Sequence, residues 1–222
     1  EVGGTCLNRG CIPAKAMIHA STLYREIKEA DRFGISASDV TYDFEKILEY
    51  KEQTTGQLVQ GVEQLLQANG VTRYYGKGTL FEGKKVKITG NEEQSVEAEN
   101  VILASGSKPL ILPIRGMDLP RVLTSDELFK LSEVPKSLVI IGGGVISVEF
   151  PNMDKEIAQN LKLILKKRGV ESHTSAAVQG VHMEGDTCVC TFVEKEKEQT
   201  VEAEYVLCAV GRCPNTDGLF AE

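Results

Sequence analysis

Residues 96–106 read VEAENVILASG, and residues 201–211 read VEAEYVLCAVG. Both stretches begin with the same four letters, continue as an apolar run and end in a small-residue turn that is soon followed by a proline (Pro109 and Pro214). They are offset by 105 residues. A short apolar run bounded by turn residues is typical of a buried strand. The repetition predicts two related halves that each contain the same strand.

Residues 137–149, SLVIIGGGVISVE, combine an apolar strand, a glycine turn and a helix start. This is the pattern of a dinucleotide-binding fingerprint, in which glycines let backbone N–H groups approach a pyrophosphate at the positive end of a helix. Ser147 stands where the third glycine of the fingerprint belongs. The sequence therefore predicts two dinucleotide-binding halves, one for each of two nucleotides.

The fingerprint is interrupted directly after Phe150, because Pro151 follows it and would stop the helix after about one turn. An intact fingerprint continues to an acidic residue about 20 positions after the glycines, where it binds a ribose hydroxyl. Ile164 stands near that position here. We therefore expect poor NAD binding.

Hydrophobic periodicity predicts the other elements of the chain. Helices are expected over residues 13–30, about 43–68 and about 152–168, and a short helix near Ser125 is expected because Thr124 and Glu127 have capping-box spacing. The expected strands are Val71–Leu80, Lys84–Thr89, Ser95–Ala104 and Ser137–Ile141, followed by a meander through about residue 210.

Residues 3–15, GGTCLNRGCIPAK, contain the candidate reactive residues of the sequence, two cysteines. Cys6 and Cys11 flank a turn-forming Asn-Arg-Gly, and the second cysteine leads into a helix that Pro13 can open. A ring this short can close as a disulfide, and a helix N-terminus stabilises a thiolate. The spacing by itself is more typical of two ordinary cysteines.

Composition narrows the classes of function. The 222-residue chain has a net charge of −7, which argues against nucleic acid or an anionic membrane as a partner. No apolar run reaches the roughly 20 residues that span a bilayer. Six cysteines are too few for a disulfide scaffold in a chain of this length, so a reducing cytoplasm is the expected compartment.

The motif GGTCLNxGCIPxK resembles the redox-disulfide signature of the flavoprotein disulfide reductases, and its Leu7-Asn8 and Cys11-Ile12-Pro13 residues are most similar to the dihydrolipoyl dehydrogenases. The resemblance implies that Cys6 exchanges with dihydrolipoamide and that Cys11 faces the flavin as a thiolate. It also implies that Lys15 lies beside the flavin N5.

The same resemblance implies an α/β fold with two incomplete Rossmann-like halves, each with a three-stranded β-meander. It assigns residues 1–114 to a partial FAD-binding domain, 115–136 to a linker and 137–222 to a partial NAD-binding domain with a deletion near 150/151. No metal site is expected. The implied cofactor contacts are Gly78, Ser105, Gly106 and Ser107 for FAD, and Gly142, Gly143, Gly144, Val145, Ile146, Glu149, Val178 and Gly211 for NAD.

The implied reaction is oxidation of dihydrolipoamide by NAD⁺ through the Cys6–Cys11 disulfide and FAD. The implied partners are a lipoyl domain of a 2-oxoacid dehydrogenase or glycine cleavage complex and a second copy of the chain. The family also has an FAD fingerprint before these cysteines and a dimerisation domain with a His-Glu acid/base pair after the last residues, so an inactive fragment is expected. A glutathione or mercuric reductase and a non-catalytic remnant remain alternatives.

Overall fold

The computed structural model of the protein describes residues 1–90, 92–142 and 163–221. Helices and strands both occur, and two of the sheets are three-stranded antiparallel meanders, so the predicted α/β class is confirmed. Within the described part of the chain, no helix is both long enough and apolar enough to cross a membrane.

The chain divides into two compact units. The first comprises Glu1–Lys108 together with Cys213–Glu222, and the second comprises Pro109–Arg212. The chain leaves the first unit within strand β4 (Ser107–Pro109) and returns within strand β11 (Arg212–Pro214), and these two strands pair with each other. Assignment of these regions to FAD and NAD remains a prediction.

Three helices build the N-terminal part of the first unit: α1 (Gly4–Arg9), α2 (Cys11–Lys28) and α3 (Phe44–Ala68). The Asp43 carboxylate accepts a hydrogen bond from the backbone N–H of Lys46 at 3.2 Å, which caps α3 and lowers the pKa of that carboxyl group. Gly70 follows the helix with a φ of 68°, a conformation that glycine adopts without strain. Helix α3 therefore confirms the predicted helix over about 43–68.

The meander of the first unit is shorter than the sequence predicts. Its strands are β1 (Lys77–Phe81), β2 (Lys85–Thr89) and β3 (Gln94–Glu97), in the order β1–β2–β3. Residues 98–106 form no strand, and the Ile102 side chain is 89% exposed. The prediction that the strand continues to Ala104 was wrong, because no described segment forms a ladder with this apolar run.

The second unit contains a parallel sheet of β5 (Val122–Thr124), β6 (Leu138–Ile141) and β10 (Tyr205–Cys208), with β10 in the centre. Helix α4 (Ser125–Leu128) follows β5 and has the predicted capping box between Thr124 and Glu127. Val206, in the middle of β10, is completely buried. The apolar run of the second repeat is thus a central strand.

The second meander consists of β7 (Ala177–Glu184), β8 (Thr187–Glu194) and β9 (Lys197–Ala203), which pair antiparallel in chain order. Its side chains and those of the parallel sheet form one buried cluster, whose members include Met117, Val181, Cys188, Cys190, Val206 and Cys208. This cluster is the hydrophobic core of the unit.

Part of the predicted nucleotide fingerprint lies outside the described residues. These positions are Gly143, Gly144, Val145, Ile146 and Glu149, together with the junction between Phe150 and Pro151. The predicted helix over 152–168 is described only from residue 163, where residues 163–167 are helical. Gly169 follows with a φ of 79°, which agrees with the predicted helix end.

Candidate functional site

The two N-terminal cysteines form a disulfide at the start of a long helix. Cys6 lies in α1 and Cys11 is the first residue of α2. Their Cα atoms are 4.6 Å apart, which is within the usual range for a disulfide. Both residues are exposed, so a small thiol can reach the bond from solvent.

Gly10 separates the two helices and lets them approach closely. A Cβ atom at this position would lie 3.0 Å from the carbonyl oxygen of Thr5 and 3.3 Å from the Cα of Cys6, which leaves no room for a side chain without movement. The sequence predicted a turn over Asn8, Arg9 and Gly10, but Asn8 and Arg9 belong to α1. The connection between the cysteine-bearing helices is thus a single residue, and the close backbone contacts at this position favour a glycine.

Helix α2 places two further residues of the motif. Pro13 is its third residue, where a missing N–H is tolerated because the first N–H groups of a helix have no helical partner. Lys15 is exposed one turn after Cys11, on the same side of the helix. Its cation and the helix N-terminus both favour the thiolate that reduction of the disulfide releases.

The residues predicted to contact FAD lie in two segments of the first unit. Ser105 and Gly106 form the turn that precedes β4, and Ser107 is the first residue of that strand. Gly106 has a φ of 78°, and no atom lies within 4 Å of the position that a Cβ would occupy. Space is therefore free beside the Cα of Gly106, on the side where a side chain would lie. Gly78 lies on β1, where it pairs with Ile88.

Two residues predicted to contact NAD lie at one edge of the parallel sheet. Gly142 follows β6 directly, and Gly211 lies three residues after the end of β10. Because the strands are parallel, both glycines lie at the carboxyl edge of the sheet, where open α/β sheets bind ligands. Val178 is elsewhere: it lies beside the bulge in β7 and packs against the core.

An ion pair at this same edge was not predicted from the sequence. The Arg212 guanidinium lies 3.2 Å from the Asp126 carboxylate, and each side chain is only 19% exposed. Asp126 belongs to the short helix after β5, and Arg212 directly follows Gly211. The sequence signal was a charged residue directly after the small-residue turn of a buried strand.

Four cysteines remain as thiols, and three of them are buried. Burial raises the pKa of Cys188 and of Cys190, which makes both poor nucleophiles. Cys208 is buried in the same core, whereas Cys213 is partly exposed. The exposed Cys6–Cys11 disulfide thus differs from the three buried thiols, which act as small apolar side chains.

Comparison with known proteins gives the family. The family model described as "pyridine nucleotide-disulphide oxidoreductase" matches residues 1–151 and again residues 150–222. The chain belongs to the pyridine nucleotide-disulphide oxidoreductase family. This membership confirms the resemblance that the cysteine motif indicated.

Individual relatives of the family are similar over the whole chain. A dihydrolipoyl dehydrogenase of Bacillus subtilis is 38% identical over 244 positions and one of Geobacillus stearothermophilus is 37% identical; each alignment covers all of this chain and 52% of the relative. The crystal structure of LpdA from Mycobacterium tuberculosis aligns with a TM-score of 0.87 at 25% identity, covering 98% of this chain and 52% of LpdA. The chain spans about half the length of the curated relatives it matches.

The ranges of the family matches divide close to the interrupted fingerprint. The two family matches meet at residues 150–151, and the alignment to the Bacillus subtilis relative is 22 positions longer than this chain. An internal deletion near 150/151 remains a prediction.

Proposed function

We propose that this chain carries the dithiol–disulfide chemistry of a dihydrolipoyl dehydrogenase, in which dihydrolipoamide and NAD⁺ give lipoamide and NADH. The observation that carries the proposal is the exposed Cys6–Cys11 disulfide at the N-terminus of α2. Relatives named dihydrolipoyl dehydrogenase support the choice of substrate.

The exchange would proceed in two steps. A thiolate of dihydrolipoamide attacks the Cys6 sulfur, forms a mixed disulfide and releases Cys11 as a thiolate. The second thiol of the substrate then loses its proton and attacks the substrate sulfur of that mixed disulfide, which closes the lipoamide ring and releases Cys6. Two electrons are thereby transferred to the cysteine pair, and α2 and Lys15 favour the charge that forms on Cys11.

Two considerations, one structural and one chemical, support the proposal of a bound flavin. Space is free beside the Cα of Gly106, and the reduced dithiol needs an acceptor for two electrons. FAD, when bound, would accept those electrons and transfer them to a nicotinamide nucleotide. We assign its contacts to Lys15, Gly78 and the turn Ser105–Ser107, whose backbone and side chains would bind and orient it.

Nucleotide binding in the second unit is proposed to be weak. Gly142 and Gly211 lie at the carboxyl edge of the parallel sheet, and space is free beside the Cα of Gly211 as it is at Gly106. The acid that would bind the ribose is absent from the position the fingerprint requires, where Ile164 stands. Inserting a segment that carries such an acidic residue at the 150/151 junction is expected to strengthen NADH binding.

The proposed partners follow from the proposed reaction. The substrate would be a dihydrolipoyl group on the lipoyl domain of a 2-oxoacid dehydrogenase or glycine cleavage complex, and a second copy of the chain would complete a dimer. A cytoplasmic location is also proposed, supported by the four cysteines that remain as thiols.

A single-turnover experiment tests the exchange without added cofactor. The oxidised chain is mixed with dihydrolipoamide, and we expect one lipoamide per chain and two new thiols, at Cys6 and Cys11, by alkylation and mass spectrometry. Cys11→Ser mixed with lipoamide is expected to stop at the mixed disulfide on Cys6. Cys213→Ser is the control and is expected to react like the parent chain.

The outcome also separates the alternatives. Reduction of the Cys6–Cys11 disulfide by glutathione but not by dihydrolipoamide would favour the alternative of a glutathione reductase. The Cys6→Ser, Cys11→Ser double variant gives the background rate of lipoamide formation. If the parent chain forms lipoamide no faster than this variant, the proposed function is rejected and a non-catalytic remnant is favoured.

A further inference from the structure

The segment from Cys213 to Ala221, here named the strap, lies along strand β1 of the first unit. The Leu80 N–H donates to the Leu219 carbonyl at 2.7 Å, and the Ala221 N–H donates back to the Leu80 carbonyl at 3.0 Å. The strap thus extends the meander on the β1 side, with Leu80 and Phe220 as bridge partners. This contact joins residues about 140 positions apart in sequence.

A side chain of β1 adds a second contact to the strap. The Thr79 hydroxyl donates to the Gly218 carbonyl at 3.0 Å. Thr79 directly follows Gly78, one of the residues assigned to FAD. Gly218 has a φ of 67°, a conformation that glycine adopts without strain, so this path of the strap favours a glycine at residue 218.

The other end of the strap contacts the turn assigned to the flavin. The Asn215 N–H donates to the Gly106 carbonyl at 3.0 Å, and the Asn215 side-chain amide is 3.5 Å from the Ser105 carbonyl. Asp217 forms an ion pair with Lys108, next to Ser107. One segment therefore contacts both proposed flavin-binding elements.

We propose that the strap positions the Gly78 strand and the Ser105–Ser107 turn relative to each other for flavin binding, with Thr79 and Asp217 as positioning residues. The inference rests on the proposed function, since that function assigns the two elements to FAD. Neither side chain is proposed to touch the reacting atoms.

The exposure of the strap explains why single contacts matter. Thr216, Asp217 and Gly218 are all exposed, so little apolar burial holds this part of the chain. Ordering each residue costs backbone entropy, which here is offset mainly by the hydrogen bonds and the ion pair. Removing one of them is expected to raise the population of the detached strap.

Thr79→Val tests the hydroxyl, because valine keeps the branched shape that the strand favours and removes only the donor. We expect the dissociation constant for FAD, measured by equilibrium dialysis, to rise about 5-fold. The rate of hydrogen exchange at the Ala221 amide, measured in the apoprotein, is expected to rise by a similar factor. Thr79→Ser restores the donor and is expected to restore both values.

Two further variants complete the design. Asp217→Asn removes the charge that pairs with Lys108 and is expected to weaken FAD binding by about 2- to 3-fold. Glu97→Gln is the matched control, since Glu97 pairs with Lys85 on the same meander and is expected to change neither readout.

The readouts separate two kinds of failure. If the parent chain binds no FAD, the flavin assignments of the proposed function are overturned and the positioning role is overturned with them. If the parent chain binds FAD but Thr79→Val changes neither FAD binding nor Ala221 exchange, the strap is not a positioning element and the proposed function stands.

Discussion

Residues 96–106 and 201–211 carry nearly the same sequence pattern and have different structures. In the second stretch the apolar run is strand β10, paired on both sides in a parallel sheet, and Leu207 is 4% exposed. In the first stretch the run from Val101 is not a strand, and Ile102, which corresponds to Leu207, is 89% exposed. An apolar run becomes a strand only where neighbouring strands accept its hydrogen bonds and side chains.

Each copy has its local signals in place, so the difference arises from the surroundings. β10 receives partners from two other parts of the chain, Val122–Thr124 and Leu138–Ile141. Among the described residues, no segment takes that role beside residues 100–104. The first unit therefore exposes a segment that its sequence pattern suits for burial.

Thiol accessibility is expected to show the largest difference between the two stretches. Leu103 corresponds to Cys208, so Leu103→Cys in a Cys213→Ser background places the same side chain at both positions. The introduced thiol is expected to react with iodoacetamide at least about 100-fold faster than Cys208, because a buried thiol reacts only when the structure opens. The measurement is peptide-resolved alkylation of the oxidised protein. Equal rates would mean that the first stretch is buried in solution.

Truncation of corresponding side chains sharpens the same comparison. Leu207→Ala is expected to lower the free energy of unfolding by about 2–5 kcal/mol, because it leaves a cavity between buried strands. Ile102→Ala is expected to change it by less than about 0.5 kcal/mol, because the side chain is in solvent. Urea unfolding followed by circular dichroism measures both. A comparable loss in the two variants would contradict the exposure of Ile102.

The ion pair after the second stretch is expected to contribute less than the buried leucine. Asp126→Asn removes the charge that faces Arg212 and is expected to cost about 1–2 kcal/mol, since both side chains are largely buried. Asp186→Asn is the control: Asp186 also pairs with an arginine, Arg121, but is 96% exposed, so its loss is expected to cost under about 0.5 kcal/mol. Thermal unfolding of both variants measures the difference, and similar shifts would argue against burial of the first pair.

The smallest expected effect is a pH dependence of hydrogen exchange in the strap, which contacts the end of the first stretch. The hydrogen bond from Lys108 lowers the pKa of Asp217 below its ordinary value of 3.8, and the same bond raises the pKa of Lys108 above 10.5. A lowered carboxyl pKa stabilises the folded state above the unfolded pKa, and that contribution is lost as the pH falls through the folded value.

Exchange of the Ala221 amide, corrected for its intrinsic pH dependence, is therefore expected to accelerate below about pH 4. In Asp217→Asn this acid step is expected to disappear. An acid step that persists in Asp217→Asn would assign the pH dependence to another carboxyl group. The lysine contribution would be lost only as the pH rises above 10.5.

Much of the local structure follows from the sequence because its causes are local. Asp43 and Gly70 bound α3 where predicted, and the Thr124–Glu127 capping box starts α4. The family could also be predicted, because the motif GGTCLNxGCIPxK as a whole resembles the signature of the flavoprotein disulfide reductases. The periodicity of α3 was less informative, since Lys51 is buried on this helix and Leu65 is exposed.

The sequence by itself determined the ends of α3, the start of α4 and the presence of the two meanders, because each depends on residues a few positions apart. Only the tertiary structure decided which copy of the repeated run is a strand, and that Arg212 pairs with Asp126 across 86 positions of sequence. These outcomes depend on contacts between distant segments, whose hydrogen bonds and burial must exceed the entropy cost of ordering the chain.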